Sequence, residues 1–179
     1  GANQAGWPIE PAEVNHPLRP DDAPPDTPAQ PAHTRITRLA RLELPEPCDT
    51  RFASTRASLV LAQPTTGRRH QIRRHLKHLA HPIIGDATHG KGPLNRWWAE
   101  RLGQQRLWLH AWQLTVPHPM TGAALALDSG LQWPAGGIPG AAAAAALAGA
   151  PTCDGAAAAT ADWQRLLTGL PWEPVPGAR

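Results

Sequence analysis

The residues Gly67-Arg68-Arg69-His70-Gln71-Ile72-Arg73-Arg74-His75-Leu76-Lys77 concentrate positive charge, and no Asp or Glu occurs between Thr50 and Gly85. Guanidinium groups are permanently charged and present planar forks of N–H donors, so a run of this kind suits phosphate oxygens. A merely solvated helix face is the alternative reading of the same charges. His75, His78 and His81 are spaced by three residues, with His70 and His89 nearby, and could be imagined around zinc. No cysteine lies near them, arginines crowd the same segment, and His81 is followed by Pro82, so no metal is expected. Cys48 and Cys153 stand far apart and offer neither a metal pair nor a disulfide framework.

The elements that would position these cations can be read from spacing. Leu59 to Gln63 is apolar, Pro64 ends it, Thr65-Thr66-Gly67 makes a turn, and Ile72, Leu76 and Leu79 then recur with helical spacing. This predicts strand, turn and helix, with Thr66 as N-cap and Gly67 admitting an anion to the helix entrance. Gln71 and His75 are expected to serve helix packing rather than catalysis. A strand over Thr34 to Leu44, closed by Pro45-Glu46-Pro47, should pair antiparallel with one over Ser58 to Gln63, whose continuous apolar character predicts burial on both faces. Pro82 to Asp86 reads as a short buried run closed by a turn. Pro93 to Leu102 reads as a helix ended by Gly103, and Arg106 to Val116 with Ala124 to Leu127 as a hairpin.

The flanks differ in composition. Residues 1–33 carry dense prolines and should be an irregular connection; residues 34–131 form the folded part; residues 132–179, rich in Ala, Gly and Pro, should be disordered or loosely helical, with a short amphipathic helix around Asp162 to Leu170. With 179 residues, 21 prolines, eight tryptophans, no tyrosine and a net charge of +3, one domain with a folded part of roughly 100 residues is expected. The run Ala141 to Ala150 falls short of the ~20 apolar residues that span a bilayer. No membrane association is expected, and reduced thiols point to the cytoplasm.

Several segments in order carry a family resemblance. Pro64-Thr65-Thr66-Gly67-Arg68-Arg69-His70-Gln71-Ile72-Arg73-Arg74-His75, then His81-Pro82-Ile83-Ile84-Gly85-Asp86, then Leu107-Trp108-Leu109-His110-Ala111 resemble the C-terminal motifs of the RluA-type pseudouridine synthases, closest to the branch acting on transfer RNA. The resemblance runs from about Pro31 to Leu131. It implies an α+β fold, a partial pseudouridine synthase fold whose mixed, mostly antiparallel sheet has flanking helices. The family carries its catalytic aspartate in an Arg-Leu-Asp motif N-terminal to these segments. No Arg-Leu-Asp occurs here, and Arg41-Leu42-Glu43 is the nearest match, so a partial chain is expected.

The activity so implied is isomerisation of a uridine in RNA without metal, redox group or other cofactor. A carboxylate attacks the flipped-out nucleoside, the glycosidic C–N bond breaks, and the uracil turns and is rejoined through carbon. Arg73 matches the arginine that pairs with the catalytic aspartate; without that aspartate it should be left buried and unpaired, which would make the chain unstable. Asp86 is expected to be structural. Arg68, Arg69, Arg74 and Lys77 are expected to contact phosphate, His70 to meet RNA, and Leu109 to wall the uracil. The implied partner is RNA, transfer RNA foremost, and the chain is expected to act as a monomer. A non-catalytic RNA-binding remnant of such an enzyme is the second reading.

Overall fold

The computed structural model describes residues 12–132 and 157–175. They divide into two compact units, the first running to Trp108 and taking in Glu173–Val175, the second running from Leu109 to Trp172.

The first unit is built on one long strand. Strand β2 (His33–Leu44) pairs antiparallel with β3 (Thr55–Pro64), from Thr34 opposite Pro64 to Leu44 opposite Thr55, with a register shift between Arg38 and Ala40. Its other edge receives β1 (Ala12–Asn15) opposite His33 to Ile36, and β6 (Glu173–Pro174) opposite Ala40 and Arg41. Thr34, Ile36, Ala40, Leu42 and Leu44 alternate inward while Arg35, Arg41 and Glu43 face water, the period of a half-covered antiparallel strand. The expected pairing of the two long strands is present. Burial on both faces of the second is not, since Ser58 to Ala62 are only half-buried.

The flanking segments hold more structure than their composition suggests. Strand β1 lies inside the stretch expected to be irregular, and its single buried side chain, Val14, joins the core with Leu18 and Ala32. Beyond it Leu18 and Gln30 exchange two backbone hydrogen bonds of 2.8 and 2.9 Å. The prolines fall between these pairs, where no ladder donor is required. Residues 1–11, 133–156 and 176–179, which include the alanine run of the C-terminal flank, lie outside the described residues.

Two helices complete the first unit. Helix α1 (Gln71–His78) packs Leu76 inward, and α2 (Gly92–Leu102) buries Trp98. Helix α2 matches its expected bounds within a residue, with proline in its first turn and Gly103 closing it in the left-handed conformation. Between them, Gly85 donates its amide to Asn95 Oδ1 at 2.9 Å, and Trp108 N–H reaches Ile84 O at 3.0 Å.

In the second unit β4 (Gln113–Pro117) and β5 (Ala124–Asp128) form the expected hairpin. The strand is shorter than expected: residues 106–112 stay outside the ladder, where Trp108 and Trp112 contribute single backbone bonds to Ile84 and Ser129. Helix α3 (Ala157–Gly169) contains most of the short helix expected around Asp162 to Leu170 and begins five residues earlier. It buries Trp163 and Leu167, and Thr160 Oγ1 donates to Ser129 O at 3.1 Å, so tertiary anchors offset the low apolar content. Among the described residues no helix is long and apolar enough to cross a membrane.

Gly85 has φ of 78°, and a Cβ there would lie 1.7 Å from the Arg106 carbonyl oxygen. Gly85→Ala therefore forces backbone apart and should destabilise the chain by about 3 kcal/mol. Urea unfolding measures it; a midpoint equal to wild type would contradict this packing.

Candidate nucleic-acid interface

The placement of α1 begins with three buried polar side chains. Gln71 Nε2 donates to the His33 carbonyl and to Thr34 Oγ1, each at 2.9 Å, while Gln71 Oε1 accepts from Thr66 Oγ1 at 2.7 Å and from the Arg68 amide at 3.0 Å. His75 Nε2 lies 3.0 Å from the His16 carbonyl and Nδ1 lies 2.9 Å from Thr34 Oγ1. A carbonyl only accepts, so Nε2 carries the proton, Nδ1 accepts from the threonine hydroxyl, and the ring is neutral. Burial pushes the His75 pKa below the ordinary histidine value, which agrees with this assignment. Gln71 and His75 thus do the packing work expected of them.

Thr66 is not the N-cap. The helix starts at Gln71, and His70 precedes it in the left-handed conformation with φ of 54° and no side-chain cap. Thr66 instead accepts the His33 amide at 2.9 Å. Arg68 and Arg69 consequently sit in the turn before the helix rather than around it. Arg73, Arg74 and Lys77 lie on the helix itself.

Arg73 is paired, contrary to the expectation of an orphaned guanidinium. Its Nε and Nη2 donate to the two carboxylate oxygens of Asp86, both at 2.8 Å, and the Thr88 and His89 amides donate to Asp86 Oδ1 at 3.0 and 2.8 Å. The Asp86 side chain is 0% exposed and that of Arg73 16%. Burial alone raises the Asp86 pKa; the bonds from Arg73, His89 and Thr88 outweigh it and bring the carboxyl down to about 2. Arg73 is held more firmly protonated by the same bonds. The fork geometry leaves Nη1 outside the pair.

The remaining basic groups are partly engaged. Arg68 Nε donates to Pro31 O at 3.0 Å. Arg69 pairs with Asp22 and lies 3.8 Å from Asp21 Oδ2; His70 Nδ1 is 3.3 Å from the same oxygen, and Arg74 Nη1 is 3.3 Å from Asp21 Oδ1. Lys77 is exposed. Leu109 belongs to the second unit, half-buried in the stretch before β4. The structure therefore gathers Arg68, Arg69, His70, Arg73, Arg74 and Lys77 along one turn and helix.

Spacing did not reveal Asp21 and Asp22 as partners of this cluster, since they lie 47 residues or more before the arginines they meet and carry no periodic signal. Leu42 is 0% exposed, and Glu43 takes Ser54 Oγ at 2.5 Å and pairs with Arg56 at 3.1 Å. Among the described residues no group of three His, Cys, Asp or Glu side chains is arranged to hold a metal.

No protein-family model matches the chain. It is 44% identical over 133 residues to "tRNA pseudouridine synthase C" of Vibrio cholerae, covering 70% of this chain and 54% of that protein. To the protein of that name from Salmonella typhi it is 44% identical over 138 residues, covering 70% and 51%. The Yersinia pestis protein is 46% identical over 104 residues, covering 58% and 40%. The chain spans about half the length of the curated relatives it matches. The solved structure "Human RNA Pseudouridylate Synthase Domain Containing 1" overlays 66% of this chain and 49% of its own at a TM-score of 0.47 and 26% identity, below the likeness at which folds are equated.

The Arg73–Asp86 pair has a measurable acid signature. The folded-state pKa of Asp86, about 2, lies below the unfolded value near 3.9, so its contribution is full above pH ~4 and lost as pH falls toward 2, worth about 2 kcal/mol. His75 adds a loss of the same sign at higher pH, because its lowered pKa leaves the unfolded chain binding more protons below about pH 6.5. Asp86→Asn should cost about 3 kcal/mol at pH 7, with the deficit shrinking by about 2 kcal/mol near pH 2. Urea titrations at both pH values decide it, and a deficit independent of pH would remove the ionic account.

Proposed function

We propose that this chain, related to the pseudouridine synthases through its tRNA pseudouridine synthase C relatives, supplies the RNA-gripping and arginine-bearing part of a site that turns a uridine in RNA, foremost transfer RNA, into pseudouridine. The observation that carries this reading is Arg73, held on a buried carboxylate while its Nη1 group stays outside that pair, on the helix that also bears Arg74 and Lys77. A nucleophilic carboxylate placed against that amino group would be kept ionised and aimed by it. Asp86 cannot take that part, because both its oxygens are engaged and it is sealed from solvent.

In the proposed reaction the nucleophile comes from sequence beyond these 179 residues. The uridine is drawn out of its stack, its C1′–N1 bond breaks, the uracil turns, and C1′–C5 forms as the C5 proton is lost and N1 gains one. Arg68, Arg69, Arg74 and Lys77 hold phosphates, His70 meets RNA, and Leu109 supplies an apolar wall. Action as a monomer in the cytoplasm, without a cofactor, belongs to the same reading. The second reading is an RNA-binding remnant that no longer isomerises.

Tritium release from C5-labelled uridine in transfer RNA tests the chemistry. In the natural protein that contains this chain, Arg73→Ala should lower release at least a hundredfold and leave RNA affinity within about threefold. Equal loss of both would make Arg73 a binding residue only. RNA binding with no release by the natural protein would favour the remnant. If about four phosphates are neutralised, log K should fall with log salt at a slope near −3, and a slope near zero would end the RNA reading.

A further inference from the structure

The cations of the interface fall into two groups by the kind of carboxylate that holds them. Asp86, on Arg73, is sealed from solvent and bound by two backbone amides besides the arginine. Asp21 and Asp22, on Arg69, His70 and Arg74, are held differently. Asp22 is 83% exposed and Arg69 58%, whereas Asp21 and Arg74 are 28% and 20% exposed and the Asp21 contacts measure 3.3 to 3.8 Å. The exposed Arg69–Asp22 pair contributes little and exchanges readily with other anions, and the Asp21 contacts are longer than the 2.8 Å bonds of the Arg73–Asp86 pair.

These carboxylates ride on a loop with a firm base. The reciprocal Leu18–Gln30 bonds close it, and within it Ala23 N–H reaches Pro20 O at 3.3 Å and Thr27 N–H reaches Pro24 O at 3.0 Å. Prolines stiffen the segment, while the ion pairs and one bond from Arg74 Nη1 to Arg19 O at 2.6 Å attach it to α1 and the turn before it. Two successive aspartates set two negative charges side by side against Arg69, as successive phosphates of a nucleic acid strand would. His70 Nδ1 lies 3.3 Å from Asp21 Oδ2 without a hydrogen bond to it.

We propose that Arg69, His70 and Arg74 form a site for adjacent RNA phosphates that Asp21 and Asp22 fill when no RNA competes, and that RNA binds by displacing this acidic loop. The inference rests on the RNA-binding reading above and adds an internal competitor to it. Every RNA must then open the loop first, so apparent affinity is lowered by the fraction of chains with the loop open. Sequences or shapes offering two phosphates in the right place gain over a diffuse polyanion.

Fluorescence anisotropy of the full chain with a 12-nucleotide oligouridylate and with transfer RNA, at low salt, tests it. The Asp21→Asn/Asp22→Asn variant should bind about tenfold tighter than wild type. Asp26→Asn removes the same kind of charge from the same loop without touching the cluster, and should stay within twofold. Hydrogen exchange should quicken at the amides from Asp21 to Thr27 when RNA is added. Asp22→Asn alone, at an exposed position, should show a smaller gain in the same direction and guards against a folding defect.

Equal affinity of the double variant and wild type would overturn the proposal, as would unchanged exchange in the loop. An equal gain from Asp26→Asn would assign the effect to general repulsion and overturn it too. If neither wild type nor the double variant binds either RNA, the RNA reading fails and the proposal falls with it. Tight binding by wild type with no effect of the aspartates defeats the loop alone.

Discussion

A hydroxyl, an amide and an imidazole sealed between β2 and α1 fix the direction in which the helix presents its cations. Thr34, Gln71 and His75 are buried, and the Thr34 hydroxyl is hydrogen-bonded to both of the others. An unmatched buried polar group costs more than a matched one gains, so such a set discriminates against misplacement more strongly than greasy packing does. Gln71 and His75 stand four residues apart on the inward face; Arg73, Arg74 and Lys77 are carried to the flanks as a result. The neutrality of His75 is part of the arrangement, because a second ring proton would leave Thr34 without its acceptor.

Burial also sorts the charges. The same residue type, arginine, meets a carboxylate sealed from solvent at position 73 and an 83% exposed one, Asp22, at position 69. The difference lies in the carboxylate. Asp86 receives backbone amides from the turn that Gly85 opens and Asn95 braces, while Asp21 faces several cations at longer range from a loop. A desolvated, fully bonded ion pair resists salt, whereas a solvated one is screened within a Debye length.

Much of this was legible in the chain. The strand, turn and helix around Pro64 could be read because apolar spacing changes period there, and α2 because proline and glycine mark its ends. What escaped reading depended on distant partners. The start of α1 moved from Thr66 to Gln71 because the Gln71 side chain, engaged with His33 and Thr34, occupies the hydroxyl and amide that a local cap would use. The resemblance points Arg73 to an aspartate upstream, while the carboxylate that holds it here, Asp86, lies 13 residues downstream. Strand β1 was hidden by prolines that interrupt no ladder. The first turn of helix α3, before Asp162, is hidden by alanine, whose weak burial signal is supplemented by Trp163 and Leu167.

Strand β6 returns to β2 from far along the chain: Arg41 and Glu173 are separated by 132 residues, and Val175 N–H reaches Leu39 O at the irregularity in the strand. The β1–β2–β3 meander closes over short separations and can assemble while the polypeptide is still being made. Its middle edge, at Ala40 and Arg41, stays without its ladder partner until Glu173 and Pro174 emerge. During synthesis this sheet therefore passes through a period with a short open edge, and the two-residue β6 acts as a late seal against pairing with a neighbouring nascent chain.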